Sequence, residues 1–188
     1  VLLATEAGLR VGEIRGLQWG DLADGRLTVR RAVDQRNNVG SPKHDKRRVV
    51  RTSPALAAAL DGVKRRGLWV VSTLDGGLLS YWAALEAVHG VYDRAGVTIP
   101  VSDTGVTMPW HSLRHTFGTE MAKRVPLPVL QRLMGHEKIE TTMRYVQVNG
   151  AQMDDAIELV FGVSGQQVGN SLRKPVKLAE IVGDPIGT

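Results

Sequence analysis

The hydrophobic pattern of this chain changes period within one stretch, and that change limits the folds open to it. On either side of residues 26–51 the apolar side chains recur at helical spacing. Within that stretch they alternate, first in Leu27-Thr28-Val29-Arg30 and again in Arg48-Val49-Val50-Arg51, with Asn37-Asn38-Val39-Gly40 between. Alternation of period two means strands, and a long polar loop between two such runs means an antiparallel pair. The expected fold class is α+β, mostly helical, with a small antiparallel sheet or hairpin on one side.

Before the strands, Leu2, Leu3 and Ala7 form an apolar segment that Gly8 interrupts. A second short helix follows with Ile14 and Leu17 on one face, which leaves Arg10 in the bend. After the strands, Pro54 opens a helix with Leu56, Ala59, Leu60 and Val63 inward. Residues 68–71 suit a short strand, and 80–94 another helix. A polar connector over 97–108 leads to four consecutive helices, 111–124, 126–134, 139–148 and 151–161. Residues 162–188 read as a tail. The expected organisation is one domain over 1–161 followed by that tail.

A chain of 188 residues can bury a real core. It has no cysteine, so a disulfide scaffold, a thiol nucleophile and a Cys-built zinc site are excluded, and a reducing compartment fits best. No apolar run approaches a membrane span, and the first residues lack the basic flank of a signal peptide. The expectation is a soluble, cytoplasmic protein with no membrane partner. The net charge of +5 is unevenly spread. Residues 26–51 hold nine Lys and Arg against two Asp, a local +7, and the remainder nets −2. A surplus confined to one hairpin fits either a polyanion face or a solvated surface.

Two constellations carry chemistry. In His111-Ser112-Leu113-Arg114-His115-Thr116, Leu113, Phe117 and Met121 share one helical stripe. His111, Arg114 and His115 share another with Gly118 and Ala122, so this trio is expected to leave the core. Three nitrogen donors beside small residues suit an anion, because a guanidinium fork matches phosphate oxygens. The i, i+4 spacing of His111 and His115 also suits zinc, with His136 as a third ligand, but Arg114 would set a fixed positive charge beside that cation.

The second constellation is Leu133-Met134-Gly135-His136, with Tyr145 nine residues on. Ile139, Met143 and Val146 form the apolar stripe of the intervening helix, and Tyr145 projects from the opposite side. On one straight helix His136 and Tyr145 would stand about 13 Å apart, although Gly135 offers a break where the chain can turn. A phenol with pKa about 10 needs a base or positive charge nearby to act as a nucleophile. Attack on a phosphodiester would suit a reversible reaction, since the phosphotyrosyl ester keeps the bond energy that hydrolysis discards. Arginines and histidines can stabilise the added charge on the phosphoryl oxygens, and Lys43 on the hairpin can donate a proton to the leaving oxygen.

Arg10 within Ala7-Gly8-Leu9-Arg10-Val11-Gly12-Glu13, then His111 to Thr116, then Leu133 to His136 and Tyr145, together resemble the catalytic domain of the tyrosine recombinases, the phage integrase family. The resemblance implies a site-specific recombinase that cleaves and rejoins DNA strands through a 3′-phosphotyrosyl intermediate, with neither metal nor ATP and no cofactor. It implies that Arg10 and Arg114 clamp the scissile phosphate, that His111 and His136 assist, and that Tyr145 is the nucleophile. Lys43, with Lys46 close by, resembles the general acid. Glu13 and His115 take supporting parts, and Ser112 stands where many members have Asp. Contacts to duplex DNA are expected from Arg30, Arg31, Lys46, Arg47 and Arg48. The resemblance further implies a helical DNA-binding domain ahead of Val1, a homo-tetramer on DNA, and docking of 151–161 in cis or on a neighbouring protomer. A topoisomerase-like relative using the same tyrosine chemistry and a non-catalytic DNA-binding module are the alternatives.

Overall fold

The first bend of the chain sets up everything that follows. In the computed structural model, which describes residues 1–42, 47–101 and 104–146, helices α1 (Leu2–Thr5) and α2 (Val11–Arg15) are separated by a turn at Gly8. Gly8 has φ +63°, and a Cβ there would lie 2.5 Å from the Phe117 ring. Only glycine meets both demands cheaply. The bend turns Leu3, Ala4, Ala7, Leu9, Ile14 and Leu17 into the core.

Strands β1 (Leu22–Ala23), β2 (Arg26–Val29) and β5 (Arg48–Arg51) form an antiparallel sheet in the order β1-β2-β5. Leu27 faces Val50 and Val29 faces Arg48 across the ladder. Leu27, Val29 and Val50 join the core laid down by α1 and α2. The same register sends Arg26 and Arg51 to the solvent side. Between these strands, β3 (Ala32–Val33) and β4 (Val39–Gly40) make a second, two-stranded ladder. The basic stretch thus holds two small ladders where one hairpin was expected. The cause lies in α2. Arg15, wholly buried, donates from Nε to the Leu79 carbonyl, from Nη1 to those of Val33 and Asp34, and from Nη2 to the Asn37 side chain. It ties this turn to the helix.

Helix α3 (Pro54–Asp61) starts as expected, with Pro54 in its first turn and the Ser53 hydroxyl accepting from the Leu56 amide at 3.0 Å. Of the four residues expected inward, Leu56 is buried and Leu60 packs against the core, while Ala59 and Val63 are exposed. The helix ends at Asp61, before Val63 could share its face. Residues 68–71 make only an isolated bridge, Trp69 to Gln18. Even so, the Val70 amide donates to Leu17 at 2.9 Å and its side chain is buried.

Ser80 caps α4 (Tyr81–Ala95), and Gly96 closes it in the left-handed region. Helix α5 (Pro109–Ala122) follows the connector, then α6 (Leu127–Met134) and α7 (Ile139–Met143). Phe117, Leu130, Met134 and Tyr145 form a second core cluster. Helix α7 is shorter than the sequence period implied, and its expected apolar stripe is not the buried one. Met143 and Val146 are exposed, whereas Thr142 and Tyr145 are buried. Because the helix stops at Met143, the next turn swings Tyr145 inward. The expected helix 151–161 and the tail lie outside the described residues. No helix among the described residues is long and apolar enough to cross a membrane.

Gly8→Ala should lower the unfolding free energy by about 2–4 kcal/mol, combining overpacking against an aromatic ring with a left-handed non-glycine residue. Urea denaturation measures this, and a loss below 0.5 kcal/mol would contradict the close approach of Phe117.

Candidate active site

The site is organised around a carboxylate that water hardly reaches. Arg10 is the N-cap of α2, and three residues on, Glu13 reaches back to accept from the Arg10 backbone amide at 2.8 Å and from its Nη1 at 3.1 Å. From β5, Arg48 donates to both Glu13 oxygens, at 2.9 and 2.8 Å, as a two-pronged fork. Glu13 is 2% exposed. Burial opposes its charge, but the hydrogen bonds and positive charges of Arg48 and Arg10 prevail and hold its pKa at about 2.

Arg114 enters from α5 and is buried, where the sequence pattern expected it to leave the core. It donates from Nη1 to the Gly8 carbonyl and from Nη2 to that of Met134. Burial first, and then the charge of Arg10, pull its pKa down to about 9, so the guanidinium remains charged at neutral pH. Both carbonyls belong to turns made by glycines. Gly135, with φ +60°, ends α6, and its own carbonyl lies 3.5 Å from Arg10 Nη2. Three guanidiniums therefore meet one carboxylate, an excess of positive charge suited to an anion.

His136 follows that turn. Its Nε2 lies 3.3 Å from Arg114 Nη2 and its Nδ1 2.9 Å from the Thr142 hydroxyl. Arginine only donates, so a bond to Nε2 assigns the proton to Nδ1 and a neutral ring. Burial, then Arg114, Arg10 and Arg48, lower the His136 pKa to about 4. Tyr145 lies beside this histidine, with ring planes 11° apart and centroids at 6.1 Å. It also meets the His115 ring at 4.7 Å. Burial raises the phenol pKa, and Arg114, Arg10 and Arg144 work the other way. On α5, Gly118 makes room for it, since a Cβ there would lie 2.5 Å from the tyrosine ring.

The fold thus brings Arg10, Glu13, Arg114, His136, Tyr145 and His115 together. His111 stands one helical turn before His115, exposed, with ring centroids 6.5 Å apart. Its pKa is lowered by partial burial and by Arg114. Among the described residues no three His, Asp or Glu side chains are grouped as metal ligands. Lys43 and Lys46 lie outside the described residues. Of the arginines expected on the outward face, Arg47 is exposed, and Arg30 and Arg31 lie 3.6 and 2.7 Å from Asp21. Arg48 is a correction, because its register opposite Val29 turns it inward to Glu13. That position was readable in the alternation with Val50. The buried roles of Thr142 and Arg15 had no comparable signal, and Gly118 was legible only as a small residue on the polar face.

A helical domain edged by a small sheet carries a carboxylate-braced arginine cluster, a histidine and an inward tyrosine, a cluster whose charge suits an anion. The chain belongs to the phage integrase family, the tyrosine recombinases, which break and rejoin DNA; the family model matches residues 1–152. The regulatory protein FimE of type 1 fimbriae in Escherichia coli K12 is 30% identical over 155 residues, covering 81% of this chain and 74% of FimE. The tyrosine recombinase XerD of Mycobacterium tuberculosis H37Rv is 30% identical over 158 residues, 78% of this chain and 46% of XerD. The same fold occurs in the Tn1549 transposon integrase, solved with a circular intermediate DNA. Its TM-score is 0.68 at 18% identity, and the match covers 84% of this chain and 56% of that one. The XerA recombinase crystal structure gives a TM-score of 0.62 at 20% identity, covering 85% of this chain and 56% of XerA.

The charges in the site set its pH response. The fold lowers the pKa of His136 from 6.5 to about 4, so stability it contributes is present above pH 6.5 and is lost as pH falls towards 4. For Glu13, lowered from 4.5 to about 2, the corresponding loss runs between those two values. NMR titration of the His136 ring should show a midpoint near 4, and a midpoint near 6.5 would refute its enclosure among cations.

Proposed function

We propose that this chain is the catalytic domain of a site-specific DNA recombinase acting through Tyr145. The observation that carries the reading is the tyrosine ring set beside His136, whose Nε2 faces Arg114 across 3.3 Å. In the proposed step the phenol oxygen attacks a phosphodiester phosphorus. A Tyr–O–P bond forms as the bond to the 5′ oxygen breaks, leaving a 3′-phosphotyrosyl ester and a 5′-hydroxyl. Arg10 and Arg114 take the charge on the non-bridging oxygens. His111, its pKa lowered by burial and by Arg114, is the proposed acceptor for the phenol proton, and His136 could serve only once its Nε2 gives up the Arg114 hydrogen bond. Lys43 gives a proton to the departing 5′ oxygen, with Lys46 as its alternative. Rejoining reverses each step and recovers the ester's bond energy, so ATP is not needed, and Arg10 and Arg114 are proposed to do the charge stabilisation a metal would otherwise supply.

Duplex DNA is the proposed substrate. Arg30, Arg31, Lys46 and Arg47 are proposed to meet the phosphate backbone, where charge gives affinity without base selection. Arg48 is assigned instead to bracing Glu13. The working assembly is a homo-tetramer on DNA, helped by a preceding helical domain and by 151–161 docking in cis or on a neighbour.

A nicked suicide duplex carrying the cognate site should trap a covalent protein–DNA adduct in the presence of EDTA, resolved by denaturing electrophoresis. Tyr145→Phe abolishes it in this reading, and an adduct persisting in that variant would remove Tyr145 as the nucleophile. Arg10→Ala should slow adduct formation by about 10²–10³-fold, the usual effect of losing one donor to developing negative charge, without loss of fold by circular dichroism.

A further inference from the structure

We propose that a cavity of about 490 Å³ next to Arg10 and His111 is a nucleobase subsite, receiving the base adjacent to the phosphate that Arg10 holds. This rests on the phosphate-clamp reading above and adds a second half to the ligand. Arg10 and His111 line the cavity, so it borders the proposed anion site. Away from them the wall becomes apolar, through Leu85, Val106, Met108 and Pro109. A phosphate has no use for such a surface, whereas a flat aromatic base does.

Trp82 supplies the platform. It stands in the first turn of α4 and is 69% exposed, with Tyr81 set against it edge-on at 5.4 Å. Every base has a π-face, and stacking on such a ring tolerates any sequence. Gln35 adds a polar contact at the rim, with an amide that both donates and accepts along a base edge. Its turn is held by Arg15, which donates to the neighbouring Asp34 carbonyl and to Asn37. The group that would read the base therefore hangs from a fixed support.

A second cavity, on the β5 side, sharpens the assignment. Its lining mixes the arginines Arg47 and Arg132 with Glu137 and the apolar Val49 and Leu133, and the two arginines are the part suited to backbone phosphate.

Titration of the chain at low salt with deoxyribose 5-phosphate and with thymidine 5′-monophosphate, followed by NMR, separates the possibilities. The nucleotide should bind about tenfold more tightly than the sugar phosphate, within the range for one base stacked on an aromatic side chain. Trp82→Ala, at an exposed position, should erase that difference and leave sugar-phosphate binding unchanged, and Trp82→Phe should restore most of it. Equal affinities in the unaltered chain would overturn the base subsite and leave the phosphate clamp standing. Failure of both probes would overturn the clamp, and the subsite with it. Self-association that Trp82→Ala abolishes, seen by sedimentation, would assign the cavity to a second copy of the chain and overturn the proposal.

Discussion

The whole arrangement hangs on the buried Glu13 carboxylate. Arg10, Arg48 and Arg114 come from a helix cap, a strand and a distant helix, and like charges do not gather unaided. Two guanidiniums about 4 Å apart repel by about 4 kcal/mol at an effective dielectric of 20. Glu13 makes the gathering possible by binding Arg10 and Arg48 directly and standing 3.9 Å from Arg114. Breaking such a buried pair by removing one partner typically costs about 3–5 kcal/mol, because an uncompensated charge remains. Glu13 is thus the hub through which α2, β5 and α5 hold one geometry.

The backbone completes what the carboxylate begins. Several guanidinium donors that do not face Glu13 are taken by the carbonyls of Gly8, Met134 and Gly135, which lie at two glycine turns, while Arg48 Nε is buried without a partner among the described residues. Left-handed turns expose carbonyls that a continuing helix would keep for itself. Positioning the arginines therefore depends on Gly8 and Gly135 as much as on any side chain. It also keeps the cluster together with no anion bound, so little reorganisation is needed when one arrives.

Most of the fold was legible in sequence because it rests on local chemistry. The alternation at 27–30 and 48–51, the Pro54 start of α3, the helix over 80–94 and the break at Gly135 each depend on a few adjacent residues. The readings that failed depend on tertiary contacts. Arg114 was expected at the surface because its helix face is polar, yet backbone carbonyls 106 and 20 residues away satisfy it in the interior. Tyr145 was expected to oppose a buried stripe of Ile139, Met143 and Val146, but α7 ends at Met143 and the turn reverses which side is buried. The family motifs drew attention to Arg10, His111, Arg114, His136 and Tyr145. They said nothing of Arg15 or Gly118, whose parts follow from what lies opposite them.

On the recombinase reading, the resting site places a tension on the tyrosine that bears on where its proton goes. Burial raises the Tyr145 pKa, and Arg114 and Arg10 offset part of that rise. A bound phosphodiester draws on the same two arginines, so it weakens their help to the phenolate just when attack requires it. The positive cluster therefore cannot both hold the phosphate and keep the phenol ionised. A neutral base is required, and burial first, then the surrounding positive charge, lowers the pKa values of His136 and His111 before substrate binds. On this reading a phosphate's negative charge would relieve the repulsive part of that lowering and leave the part due to burial in place. The substrate thus both weakens the arginines' support of the phenolate and strengthens the bases able to accept its proton.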